Sequence, residues 1–577
     1  MVFALAAIGC SGVSKAPTPL AWHGQARYLI VLSASASPSQ QRGGHELQTY
    51  LSQITGANFL LVQSDTIVLP DHAILVGYSK YTDALAVPRD SNLGPDGFVI
   101  KTVGPHIVIA GSPIRGTMYG CTAFLEQLGV RWFTASVTCV PHNPDLQIPL
   151  MNIRETPAFE YREPYFAEAW DKDWAARNRV IGHSPHLDAS TGGKIAYADF
   201  CHSFDRLIPP DLYKTHPEYF PLIDGKRKSG YVQRCLTNPD VLKLAIAGVK
   251  QAFKDHPECI ITTVSQNDCN EWCTCENCMR LANQYGGQSG LYVWFVNQVA
   301  QGIEKDYPDH LVDTLAYMFT EQPPANIKPR ANVRIRLCPI KCCQVHPYET
   351  DSYENNAAFV KRLKGWSAIT DTLYIWHYNT NFAHYLAPFP DFGQFPSSIR
   401  LYKNNGVKGV FFEGAYAGIG GGSDAELRSY VMARLLWSPN QDENALINDY
   451  LNGVFGPAAP QMRAYFDLMQ STIKPPQNHL RCYNEPKQNV FTPAFMNQAA
   501  ELFDQAEKLP LTDQQKTYLK KERLGIRYLD LFFHPRVGKD LDAFLTDVRS
   551  LHITHVSEAK SFDDWEKEYR AKNVPKA

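Results

Sequence analysis

From about residue 155 to residue 440 the sequence alternates short β-like runs with amphipathic helical stretches, and few folds accommodate that rhythm. The runs are Phe159–Arg162, Arg179–Gly182, Tyr219–Ile223, Cys259–Ser265, Val312–Met318, Val333–Leu337, Thr372–Trp376 and Gly409–Phe412. Helical patterns lie between them, as at Val241–Phe253, Gly290–Asp306 and Asn355–Trp366. Eight strands separated by helices predict an α/β fold, a (β/α)8 TIM-like barrel over residues 151–440. Barrel chemistry sits at the C-terminal ends of the strands, so the residues there are the first to weigh.

The flanks read differently. Residues 20–150 predict a small α+β domain. Strands are expected at Tyr28–Leu32, His72–Gly77, Gly97–Lys101 and His106–Gly111. A helix is expected over His45–Ile54, where Leu47, Tyr50, Leu51 and Ile54 share one face. No Gly-rich phosphate fingerprint follows the first strand, which argues against dinucleotide binding. Residues 441–577 read as helical, with periodicity at Ala445–Val454, Ala459–Ile473 and Pro493–Leu509.

Lys+Arg number 56 and Asp+Glu 58, so the chain lacks the basic field that a nucleic-acid partner requires. Residues 1–19 are expected to be a signal segment. Val2–Ile8 is a short apolar run, and Ala7-Ile-Gly-Cys10 is lipobox-like, with Cys10 as the lipidated residue. The expected location is therefore the bacterial cell envelope or periplasm, with membrane attachment only through Cys10. Fourteen cysteines suit an oxidising compartment. Cys269, Cys273, Cys275 and Cys278 form the densest group, followed by Cys338, Cys342 and Cys343. Disulfides are favoured there over zinc, because no His-x3-His companion follows and the C-x2-C pairing is incomplete. No cofactor and no metal is expected.

Asp268 stands just beyond the fourth expected strand, where a carboxylate can act as general acid or base. Its neighbour Asn267 could hold a hydroxyl or acetamido group, with Trp272 close by. Glu413 ends the last strand before Gly414, a second candidate catalytic carboxylate. Trp376 and Tyr378 share one face of the seventh strand, His377 the other, and the two rings would make a sugar platform. Tyr317, Arg177 and His202 are weaker substrate-binding candidates. No G-x-S-x-G and no H-E-x-x-H occurs, which lowers serine-hydrolase and zincin readings.

Several segments together carry a family resemblance. They are His216–Arg227, Cys235–Asp240, Ser265–Asp268 with Trp272–Cys278, Trp376–Tyr378 and Arg428–Trp437. With these the chain resembles the bacterial family catalogued as domain of unknown function 4838, part of which is glycoside hydrolase family 163. Gly111–Glu126 resembles the α/β domain that precedes the barrel in hexosaminidases and α-glucuronidases. The resemblance implies a glycosidase acting on an oligosaccharide or glycoprotein glycan; family 163 enzymes are endo-β-N-acetylglucosaminidases of N-glycans. Related N-acetyl-sugar hydrolases carry two adjacent acids after strand four, whereas this chain has Asn267-Asp268. That departure leaves Asp268 as acid/base and Glu413 as a second carboxylate. Three other readings remain: an α-glucuronidase-like exo-enzyme using Arg177, Arg179 or Lys341, a non-catalytic glycan-binding lipoprotein, and a zinc-dependent enzyme.

Overall fold

Two six-stranded sheets organise the protein, each inside its own compact unit. The computed structural model describes residues 19–418 and 421–573, so Cys10 and the expected signal segment lie outside the described residues.

One unit comprises residues up to 131 together with 139–156 and 189–192. Its sheet runs Asn152–Glu155, Phe98–Val103, His106–Gly111, Ala73–Val76, Leu29–Leu32, Leu61–Gln63. The first two pairings are antiparallel and the other three parallel. The helix Pro38–Thr55 starts at a Ser37 capping box closed by Gln40 and stops at Gly56, whose φ of 71° suits glycine. At Gly43 the helix meets the Gly116–Gln127 helix closely, since a Cβ there would lie 3.0 Å from Cys121 Sγ and 3.2 Å from Met118 Cα. Val31, Leu75, Val99 and Val108 belong to an aliphatic core.

The other unit comprises 132–138, 157–188 and the chain from 193 onward. Its sheet is wholly parallel, in the order Tyr161–Tyr165, Gly409–Glu413, Leu373–Tyr378, Val333–Leu337, Leu311–Ala316, Ile261–Thr263. It is curled, because Tyr161 from the first strand and Ile261 from the last share one cluster with Tyr197, Tyr374 and Phe411. Eight strands were expected, and six pair in this sheet among the described residues. At Arg179 the chain takes φ 58°, which interrupts an extended run, and only Ile181 bridges to Arg162. The Tyr219–Ile223 run begins as a 3₁₀ turn, with Pro217 at its start and donorless Pro221 just after it. It ends in a two-residue hairpin strand, Leu222–Ile223, paired with Lys226–Arg227. Tyr197 instead makes a single parallel bridge to Ile261.

Helices Pro239–Asp255, Gln288–Glu304, Glu354–Ser367, Phe395–Asn404 and Ala425–Trp437 fall between or after these strands. The end of the chain is helical from Glu443–Phe455 to Phe562–Asn573, interrupted by a small hairpin of His555–Ser557 with Lys560–Ser561. Among the described residues, no helix is long and apolar enough to cross a membrane.

Candidate active site

The parallel strands deliver their last residues to one pocket of about 220 Å³. Glu413 ends its strand; Trp376 and Tyr378 end the next; Tyr317 follows Leu311–Ala316, and Cys338 follows Val333–Leu337. Asp268 and His202 complete that rim. Thus the structure brings together Asp268, Glu413, Tyr317, Trp376, Tyr378 and His202.

Glu413 is buried, and Trp376 Nε1 donates to its Oε2 at 2.7 Å. Burial pushes its carboxyl up to about 8; the indole opposes this, and the Glu558 and Asp268 carboxylates add to it. At neutral pH Glu413 therefore holds a proton. Gly414 is needed next in the chain, since a Cβ there would stand 2.2 Å from Phe166 Cζ. Asp268 is exposed at the pocket mouth. Burial raises the Tyr317 phenol well above its usual range, and the Asp268 carboxylate beside it adds to the shift. His202 Nδ1 donates to the Gln266 carbonyl at 2.7 Å, which fixes the ring. His377, on the opposite strand face from the platform rings, is buried against Tyr402 Oη at 2.6 Å and Gln394 Oε1 at 3.2 Å. Burial lowers it to about 3, so it stays neutral.

Three of the expected site residues lie elsewhere. Asn267 turns inward: its Nδ2 donates to Asp205 Oδ1 at 2.6 Å and to the Val232 carbonyl at 2.9 Å. A tight turn closes here, the Cys269 amide donating to the Asn267 carbonyl at 2.8 Å, and it leaves Asp268 exposed beside buried Asn267. Trp272 packs on Phe319, with ring centroids 5.0 Å apart. Arg177 lies over the Trp132 ring at 5.8 Å. Glu558, Tyr416 and Tyr483 line the pocket as well, beyond the residues expected from sequence. Tyr416 and Tyr483 each donate to Glu558, to Oε1 and Oε2 respectively, both at 2.7 Å. Tyr416 was within reach, three residues past Glu413, whereas Glu558 and Tyr483 arrive from the helical end of the chain with no local signal.

The pocket-bearing unit holds most of residues 132–467, and that stretch matches the family described as "Domain of unknown function (DUF4838)". The chain belongs to the DUF4838 family. No curated protein matches this DUF4838 member in sequence. Among solved structures it is similar to a family GH115 4-O-methyl-α-glucuronidase with specificity for decorated arabinogalactans. That pair shares 13% identity and a TM-score of 0.58, covering 92% of this chain and 76% of that one. A family 89 glycoside hydrolase from Clostridium perfringens, in complex with 2-acetamido-1,2-dideoxynojirmycin, is 11% identical at TM-score 0.49, covering 89% and 65%. A GH138 enzyme targeting pectin rhamnogalacturonan II is 10% identical at TM-score 0.46, covering 94% and 98%. The first likeness places the DUF4838 chain among glycoside-hydrolase folds.

The cysteines also regroup. None of the thirteen described cysteines is in a disulfide. Cys269 leaves the expected group, its Sγ accepting from Gln233 Nε2 at 3.3 Å. Cys235 takes its place beside Cys273, Cys275 and Cys278.

Proposed function

We propose that this protein is a glycoside hydrolase that cuts a complex glycan at a neutral sugar, an N-acetylglucosaminide in the first instance. The observation that carries the reading is Glu413, a buried carboxyl held protonated to about pH 8 at the end of a parallel strand. Such a group can protonate a glycosidic oxygen. Asp268, in the same pocket, supplies the second carboxylate, as base or nucleophile, and Trp376 and Tyr378 offer their rings to the sugar's apolar face. Glu558, clamped by two tyrosine hydroxyls, supplies an anionic acceptor for sugar hydroxyls.

A uronate-binding reading finds less support. Among the described residues lining the pocket there is no Lys or Arg, while Asp268 and Glu558 are acidic beside the protonated Glu413. Arg177 stacks on Trp132, and Lys341 pairs with Glu321 at 3.2 Å. A uronate would meet like charge and no counter-ion. The volume of about 220 Å³ lies below the usual range of about 300–1,000 Å³ for ligand pockets and suits one ring at the scissile position. Export with lipid attachment at Cys10 belongs to the same reading, and the mass of the mature N-terminal peptide tests it.

The deciding experiment is digestion of a glycan panel read by mass spectrometry, with wild type, Glu413→Gln and Asp268→Asn. Release of N-acetylglucosamine-terminated products by wild type alone supports the proposal. Glucuronate release would overturn the neutral-sugar reading. Glycan binding with no cleavage of any panel member would make the protein a binder.

A further inference from the structure

Forty residues separate Cys235 from Cys275, yet their sulfurs lie 3.7 Å apart, and Cys235 Sγ is 3.9 Å from Cys278 Sγ. All four sulfurs of Cys235, Cys273, Cys275 and Cys278 fall within 4.8 Å of one another. A disulfide needs sulfurs at about 2.05 Å, so these contacts are not bonds. They match another figure: a tetrahedral ion with metal–sulfur bonds of about 2.3 Å sets its sulfurs about 3.8 Å apart. We propose that Cys235, Cys273, Cys275 and Cys278 bind one zinc ion as a closed tetrathiolate that staples the Asp268 loop.

The surroundings fit a charged tetrathiolate. Four thiolates around Zn²⁺ leave a net charge of about −2, which needs donors and a cation nearby. The Leu222 amide donates to Cys273 Sγ at 3.3 Å, and the Arg227 guanidinium lies 3.8 Å from the same sulfur. Thr237 Oγ1 lies 3.2 Å from Cys278 Sγ. Cys275 is the N-cap of the Glu276–Gln284 helix and Cys278 is in its first turn, so the positive end of that helix faces the sulfurs. Thiolate donors select a soft ion over magnesium or calcium. With all four positions taken by protein, the ion has no open site for substrate, and its role is structural.

The staple has a specific beneficiary. Cys235 lies two residues from Gln233, whose Nε2 donates to the Asn267 and Cys269 carbonyls, each at 2.7 Å. Gln233 Oε1 accepts from the Asn267 amide at 3.0 Å. Closing Cys235 onto Cys273–Cys278 therefore clamps both ends of the segment that presents Asp268. This inference stands apart from the glycosidase reading, because zinc binding is measured without any substrate.

The test uses full-length protein purified without chelator or affinity metal, with zinc counted by mass spectrometry. Cys235→Ser and Cys278→Ser are each expected to lose about one zinc per chain, and Cys269→Ser to lose none. Taking the difference between variants also removes any ion held by the separate Cys343, His346, Asp351 and His479 group. Should the cysteine variants fail to fold, cobalt exchanged into wild type gives a second reading. Intense visible bands with thiolate charge transfer report four sulfurs in a tetrahedron and support the site. Unchanged zinc in folded Cys235→Ser, iron as the resident ion, a disulfide mapped among the four cysteines, or only weak octahedral cobalt bands would each overturn it.

Discussion

Each unit of this protein is built on a six-stranded sheet, and the two sheets handle charge in opposite ways. The mixed sheet of the N-terminal unit packs Val31, Leu75, Val99 and Val108 into an aliphatic core. The parallel sheet curls around aromatic rings and ionisable groups. Arg336 and Asp313 pair at 2.6 Å, both buried, with the guanidinium 4.2 Å from the Phe200 centroid. Glu163 is buried as well, receiving the Tyr161 hydroxyl and the amides of His183 and Ser184. Buried charge is costly unless every group is partnered, so a sheet spends it only where chemistry or precise shape returns something. The difference teaches where to look: the apolar sheet is scaffold, and the charged one positions a site.

The sharpest way to break this contrast is Glu413→Gln. Hydrolysis is expected to fall by about 10²–10⁴-fold, the usual contribution of a general acid, in kcat/KM on the cleaved glycan. The same variant tests pH linkage. A carboxyl raised from 4.5 to about 8 binds a proton more tightly when folded, so wild-type stability falls as pH rises through that window. Glu413→Gln flattens that slope in denaturant titrations run across it. The wild-type rate profile should fall on its alkaline side with an apparent value near 8.

Next in size is Arg336→Met, which strands Asp313 inside the curled sheet. A loss of about 3–5 kcal/mol in chemical denaturation is expected. In the aliphatic sheet, Leu75→Ala should cost about 2–5 kcal/mol through its cavity, with kcat unchanged in the folded protein. Equal effects on kcat from both variants would erase the distinction between the sheets. The smallest expected effect is Trp376→Phe. The indole hydrogen bond lowers the Glu413 value, so losing it moves the alkaline limb upward by about one pH unit or less. An unmoved limb together with a weakened KM would make Trp376 a sugar platform alone.

The strands were legible where apolar runs were long and lacked breakers, as at Val333–Leu337 and Gly409–Glu413. Arg179 and Tyr219 misled because a left-handed φ and flanking prolines override local apolarity. Glu413 ends its strand as expected, and Asp268 reaches the same pocket from five residues past Ile261–Thr263. Asn267 could not be told from Asp268 without knowing which way each side chain points. Cys235 and Glu558 reach their partners only through the fold, and no window of neighbouring residues contains that information.

Glu558 sits in the turn of the His555–Ser557 hairpin, and Tyr483 lies about half as far beyond the last strand of the parallel sheet. Both fall after residue 467, beyond the stretch that defines the family. A wall of the pocket is thus supplied from outside the matched stretch. On the glycosidase reading proposed above, changes in this tail would alter which glycan is accepted while leaving Glu413 and Asp268 in place. A comparison of relatives restricted to the shared segment would leave out Tyr483 and Glu558 and so miss this wall.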